Sequence, residues 1–307
     1  MADLATSSLR AGPFPLKRIL VLSDLTDAAA NAAWRAALLA QEHGAWLRIV
    51  HVRGLGEDAA TAQRRLDALA WQLQEHLRIA VLAQSVRGGL RRELALAATD
   101  MDLVVTRAAP GRWARDWLAG THPERIAQLC GRPTLVVRKA AAVPYQRVIA
   151  GVRHGPHAAA CIAAATGMAG GPHAELLAEL GADSQLLPRD DPGFESRAGH
   201  VEARIHELAQ ATPGARMKEA PCVVFTRSVD VLLEKEQALF PDLVVVPRTA
   251  GRLPPWFTPS LSRRLLVRTM ADTLILPGAS DAASAPTQHP GELSPVLGAH
   301  GAKVWPS

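Results

Sequence analysis

The chain repeats itself, and this restricts its architecture more than any single motif does. Lys17-Arg18-Ile19-Leu20-Val21-Leu22 is a short apolar run entered from basic residues. It returns 129 residues later as Gln146-Arg147-Val148-Ile149-Ala150-Gly151-Val152. Asp102-Leu103-Val104-Val105 returns 140 residues on as Asp242-Leu243-Val244-Val245. Pro133-Thr134-Leu135-Val136-Val137 is echoed 139 residues on by Asp272-Thr273-Leu274-Ile275-Leu276. Three matches in one order make two copies of one unit, the second longer in its middle by about ten residues. With 307 residues, each copy is long enough to bury its own core. The expected units are residues 16–139 and 145–277, joined through the Ala-rich stretch Lys139 to Tyr145 with its Pro144. Residues 1–15 and 278–307 carry Pro, Ser, Gly and Ala without periodicity and read as loose tails.

Within the first copy, short apolar runs alternate with helical patterns. Ile19–Asp24 reads as a buried strand. Thr26 can N-cap a helix through about His43, and Gly44 can close it in the left-handed conformation. Leu47–Val52 is the next strand. Leu66, Leu69, Ala70, Leu73 and Leu77 then form the apolar stripe of an amphipathic helix. Ile79–Val86 is a strand, Leu90–Ala98 a helix and Leu103–Thr106 a strand. A loop follows, then a helix over Pro123–Cys130 and a last strand over Thr134–Arg138. Continuous apolar strands alternating with helices predict a parallel sheet covered on both faces. The chain is therefore expected to be α/β, with two tandem doubly wound parallel-sheet domains. The last strands of the two copies, Thr134–Arg138 and Thr273–Pro277, are short, apolar and terminal in their units. They are expected to pair with each other, giving an intrachain pseudo-dimer that is monomeric or weakly dimeric through another face.

Composition removes several function classes. A net charge of +5 comes without a Lys/Arg run, so no nucleic-acid partner is expected. Cys130, Cys161 and Cys222 form no C-x-x-C pair, which fits a reducing cytoplasmic compartment and no structural zinc. His154, His157 and His173 lack metal-ligand spacing. The longest weakly apolar stretch, Ala158 to Gly171, is too short to span a membrane, and the N-terminal segment has no signal-peptide core. The 56 alanines read as coding bias rather than as an activity.

In open parallel sheets, ligands bind beyond the carboxyl ends of the strands where strand order reverses. Three segments of the first copy end there: Ser23-Asp24-Leu25-Thr26, His51-Val52-Arg53, and the loop from Arg107 to Thr121. Asp24 could bond a nucleobase or ribose, or simply form a turn beside Thr26. In Gly120-Thr121-His122-Pro123-Glu124, Thr121 and Glu124 make a capping box and Pro123 suits a first helical turn. Such a helix start could receive a phosphate, or be no more than a well-capped helix. No G-x-S-x-G elbow and no G-x-x-x-x-G-K-[S/T] loop is present.

At these residues the sequence resembles the universal stress protein family, as a tandem two-domain member. Ile19-Leu20-Val21-Leu22-Ser23-Asp24-Leu25-Thr26 resembles the family's first strand and acidic turn. Leu47-Arg48-Ile49-Val50-His51-Val52 resembles its second strand, and Asp102 through Arg138 its C-terminal third. The resemblance is fainter over 146–277. It implies the adenine nucleotide alpha hydrolase-like fold and a site for ATP or AMP. Family members that bind ATP carry G-x2-G-x9-G-[S/T] after the fourth strand. Aligned on Gly120-Thr121, the two earlier glycines fall on Arg107 and Pro110. Pro110 has no N–H to donate, and Arg107 puts a bulky side chain where backbone should approach phosphate, though it could itself bind one. The nucleotide site implied by the resemblance thus rests on Asp24, Val52, Arg107, Gly120 and Thr121. In the second copy Arg153 replaces the acidic turn, and Pro259-Ser260 replaces Gly120-Thr121, so no such site is expected there. The functional expectation is a non-enzymatic stress protein acting by binding. The alternatives are an adenine-nucleotide sensor working through the first copy and, in the enzyme class, a nucleotide hydrolase or transferase. The sequence supplies no positioned base or nucleophile for the last.

Overall fold

A computed structural model describes residues 14–108, 123–153, 158–169, 174–179, 192–212, 222–224, 233, 236–248, 265–266 and 268–277. The first half runs β1 (Arg18–Ser23), α1 (Asp27–His43), β2 (Trp46–Arg53), α2 (Ala59–Leu77), β3 (Val81–Arg87), α3 (Leu90–Ala98), β4 (Leu103–Arg107), α4 (Pro123–Cys130) and β5 (Thr134–Val137). The second half runs β6 (Val148–Arg153), α5 (Ala158–Met168), β7 (Ala174–Glu179), α6 (Pro192–Ala211), β8 (Cys222–Val224), β9 (Leu243–Pro247) and β10 (Asp272–Leu276).

Among the described residues, ten strands form one sheet in the order β3-β2-β1-β4-β5-β10-β9-β6-β7-β8. The order of the second half mirrors that of the first. Pairing is parallel within each half, and β5 meets β10 antiparallel, with Thr273 opposite Val136 and Ile275 opposite Thr134. The expected pairing of the two terminal strands is therefore present. β5 ends at Val137, one residue short of expectation, and the Arg138 N–H donates to the Asp272 carboxylate instead.

Local chemistry explains the helices. Thr26 Oγ1 accepts from the Ala29 N–H, and Gly44 closes α1 at φ 61°. Ala32, Ala33, Ala36, Ala37 and Ala40 of α1 are all buried, so the alanine bias lets this helix lie close to the sheet. One core lies beneath α1, α2 and α5 and runs through both halves, from Ile49 and Val21 to Val245 and Leu274. On the opposite face α3 and α4 cover Leu20, Val50 and Val104. Phe14, expected in a tail, packs against the first core.

The junction is no loose tether. Asn31 Nδ2 donates to the Lys139 carbonyl at 2.8 Å, and Asn31 Oδ1 accepts from the Ala141 N–H at 2.9 Å. Arg35 donates to the carbonyls of Val143 (2.6 Å) and Ala140 (3.0 Å). Tyr145 is fully buried. Polar side chains of α1 thus take up the backbone groups that the Ala/Pro stretch cannot satisfy by itself.

The repeated aspartates have a repeated job. Asp102 Oδ2 accepts the Lys17 and Arg18 N–H groups, both at 2.8 Å. Asp242 Oδ2 accepts those of Gln146 (3.0 Å) and Arg147 (3.1 Å). In each half the carboxylate just before the fourth strand anchors the entry to the first. Among the described residues, no helix is long and apolar enough to cross a membrane.

Candidate functional site

Strand order reverses between β1 and β4, since the chain leaves β1 towards β2 on one side and returns to β4 on the other. A cavity of about 290 Å³ opens there, at the carboxyl ends of β1, β2 and β4. Leu22, Val50, Val52, Leu90 and Ile126 supply its apolar wall. Its polar groups come from Ser23, Asp24, His51, Thr106 and Arg107. Three of the residues singled out in the sequence, Asp24, Val52 and Arg107, therefore line one cavity. Gly120 and Thr121 lie outside the described residues, as do Pro110 and the second-copy residues Pro259 and Ser260.

The β1–α1 turn holds Asp24 in place. Leu25 adopts φ 61°, a left-handed conformation that costs a branched-chain residue about 1 kcal/mol or more. Its N–H donates to Ser23 Oγ at 3.1 Å, and its carbonyl accepts from Arg65 at 2.7 Å. Asp24 Oδ1 accepts from the Thr26 N–H (3.2 Å) and from the Thr26 hydroxyl (2.5 Å). The turn-forming role and the cavity-lining role of Asp24 thus coexist.

Arg107, the last residue of β4, reaches across to the same carboxylate. Its Nε donates to Asp24 Oδ2 at 2.5 Å, and its Nη1 donates to the Ala108 carbonyl at 3.0 Å. Partial burial pushes the Asp24 carboxyl up. The Thr26 hydroxyl, the Arg107 hydrogen bond and the Arg107 charge outweigh it, and the pKa lies below the ordinary Asp value. Both oxygens of Asp24 are thus engaged by groups of the chain itself.

His51, expected at the ligand-binding end of the second strand but not counted among the site residues, stands in the cavity wall. It pairs in register with Ser23, so its ring reaches the Ser23 carbonyl through Nδ1 at 2.8 Å. Its Nε2 meets Glu57 Oε1 at 2.8 Å, and Glu57 Oε2 accepts from the Gly54 N–H at 3.0 Å. Nδ1 therefore ties the ends of β1 and β2 together, and Nε2 ties β2 to the loop that follows it. Among the described residues, no group of three or more His, Cys, Asp or Glu side chains could hold a metal ion.

The two mirrored halves, each doubly wound, with a switch-point cavity in the first, define the fold of the universal stress proteins. Solved structures match it along most of the chain. A functionally unknown protein from Pseudomonas aeruginosa PAO1 is 18% identical at a TM-score of 0.60, over 89% of this chain and 96% of that one. A protein described as a universal stress protein from Pseudomonas aeruginosa UCBPP-PA14 matches at 18% identity and a TM-score of 0.60, over 89% and 97% of the two chains. A universal stress protein from Archaeoglobus fulgidus DSM 4304 matches at 12% identity and a TM-score of 0.58, over 86% and 97%. At these identities the likeness concerns the fold. No family model matches the sequence, and no curated protein does.

Proposed function

We propose that the chain is a tandem universal stress protein that acts by binding rather than by catalysis, with units over 16–139 and 145–277. In this reading the nucleotide site of its first unit is degraded. The observation that carries it is the 2.5 Å contact of Arg107 Nε with Asp24 Oδ2. The family's ATP site would need a free carboxylate at Asp24 and close backbone approach at position 107. Here the carboxylate is neutralised by an intrachain guanidinium that also projects into the cavity. A cavity of about 290 Å³ lies at the lower limit for small-molecule pockets, which supports a site narrowed by Arg107. The non-enzymatic reading draws support from His51, whose nitrogens are spent on the Ser23 carbonyl and on Glu57.

Equilibrium dialysis of the full chain against ATP and AMP tests the proposal. Neither nucleotide should bind at micromolar concentration, and Arg107→Gly should restore measurable binding. Micromolar binding to the unaltered chain, lost in Asp24→Ala, would instead establish the adenine-nucleotide sensor, the reading favoured by the shared placement of Asp24 and Val52.

A further inference from the structure

Among the described residues, the sheet ends on one side at β3, which pairs with β2 alone. Its sequence Val-Leu-Ala-Gln-Ser-Val-Arg carries a single charge, at the end, and Leu82 is exposed. An edge of this composition is a template for another chain. The Leu47 N–H donates to the Ala80 carbonyl at 2.9 Å. Even-numbered residues therefore face β2, and Val81, Ala83 and Ser85 turn their main-chain groups outward.

α2 reaches over this edge. Gln63 Nε2 donates to the Ala83 carbonyl at 3.1 Å, and Gln63 Oε1 accepts from the Ser85 N–H at 2.8 Å. The main-chain N–H and C=O of one residue in a neighbouring parallel strand would make this same pair of bonds. Asp67, one turn further along α2, accepts from Gln63 Nε2 at 2.8 Å and fixes which way the amide points. Gln74 Nε2 donates to the Val81 carbonyl at 3.0 Å. Elsewhere in the sheet, the apolar terminal strands β5 and β10 meet main chain to main chain.

We infer that Gln63 and Gln74 act as a surrogate strand that closes the β3 edge against a second copy of this chain. Without them, two copies join antiparallel, β3 to β3, across a twofold axis. The edge is thus an interaction surface held shut by two amides.

Sedimentation velocity over a concentration series, on the full chain, compares the unaltered protein with Gln63→Ala and with Gln63→Ala/Gln74→Ala. The double variant should show a sedimentation coefficient that climbs with concentration beyond that of the unaltered chain, with Gln63→Ala intermediate. In dilute double variant the Ser85 amide should exchange roughly tenfold faster, and it should regain protection as the copies associate. If the double variant does not fold, Gln63→Met serves instead, since it keeps the length of the side chain, makes neither bond and should also associate. A folded variant that sediments like the unaltered chain at every concentration overturns the inference, as does association that leaves Ser85 unprotected.

Discussion

The Tyr145 hydroxyl donates a 2.6 Å hydrogen bond to Asp272 Oδ2, and both side chains are fully buried. The two residues stand 127 positions apart and join the end of the junction to the first residue of the last strand. Asp272 Oδ1 also accepts the N–H groups of Arg138 (2.7 Å) and Lys139 (2.8 Å). Arg35 Nε lies 3.4 Å from Oδ2, and its guanidinium stacks over the Tyr145 ring at 4.3 Å. The carboxylate therefore serves the first half, the junction and the second half together.

Asp272→Ala should be the most damaging change at this junction. It strands the buried Arg35 charge and three donors, a loss of about 3–5 kcal/mol. Tyr145→Phe removes one donor and should cost about 1–2 kcal/mol. Urea unfolding checks both. Because one carboxylate links the two halves, the loss should shift a single transition rather than split it in two.

Acid should weaken the chain through Asp242 and Asp24. Burial pushes the Asp242 carboxyl up, but the N–H groups of Gln146 and Arg147 and the charge of Lys139 hold its pKa below 3.8. Asp24 is likewise lowered. A folded pKa below the unfolded one gives stability that is complete above the unfolded value and is lost as pH falls through the folded value. Stability should therefore be level near neutrality and decline below about pH 4. Asp242→Asn should be less stable at pH 7 and show a shallower decline between about pH 4 and pH 2. Thermal unfolding across that range reads both effects.

What could be read from the sequence was local or periodic. The β/α alternation, the Thr26 cap and the Gly44 closure each depend on a few adjacent residues, and all are present. The β5–β10 pairing was legible because an apolar strand at the end of a unit needs a partner. The junction was legible in place but not in character, since nothing near Ala140 or Val143 announces that Arg35, over a hundred positions earlier, binds their carbonyls. The site shows the same limit. Asp24 and Arg107 were both singled out, yet their contact spans 83 positions and follows from the β1–β4 register, which no local pattern encodes. The segment His51-Val52-Arg53 was placed at the ligand-binding end, but the partners of the His51 ring were not legible, because a histidine in an apolar strand carries no signal of its neighbours until Ser23 lies opposite it.

Two helix ends offer a matched comparison. Gly44 closes α1 at φ 61°, ψ 40°, and Arg78 closes α2 at φ 54°, ψ 41°. Glycine adopts this conformation freely, whereas a side chain strains it by about 1 kcal/mol. Gly44→Ala should therefore lose about 1 kcal/mol. Arg78→Gly should gain up to about 1 kcal/mol, because the exposed Arg78–Glu75 pair it gives up contributes little. Opposite shifts of the urea midpoint are expected. A loss in both would mean that Arg78 holds α2 by something other than its backbone.

The Arg107–Asp24 pair should govern binding far more than it governs stability. The Asp24 side chain is 42% exposed and that of Arg107 is 26% exposed, so solvent screens much of their attraction despite the short contact. Arg107→Ala should cost under about 1 kcal/mol. Arg107→Gly should add a further 0.5–1 kcal/mol or so for a glycine at the end of a strand. Asp24 keeps its two bonds from Thr26 in either variant, so the β1–α1 turn should hold its shape. The freed carboxylate, no longer neutralised, should then titrate closer to the ordinary Asp value, because two of the influences that lower it come from Arg107. NMR titration of the Asp24 carboxyl reads that change directly. Urea unfolding of both variants reads the small loss of stability, and a loss of several kcal/mol would show that Arg107 is a structural strut rather than the group that closes the site.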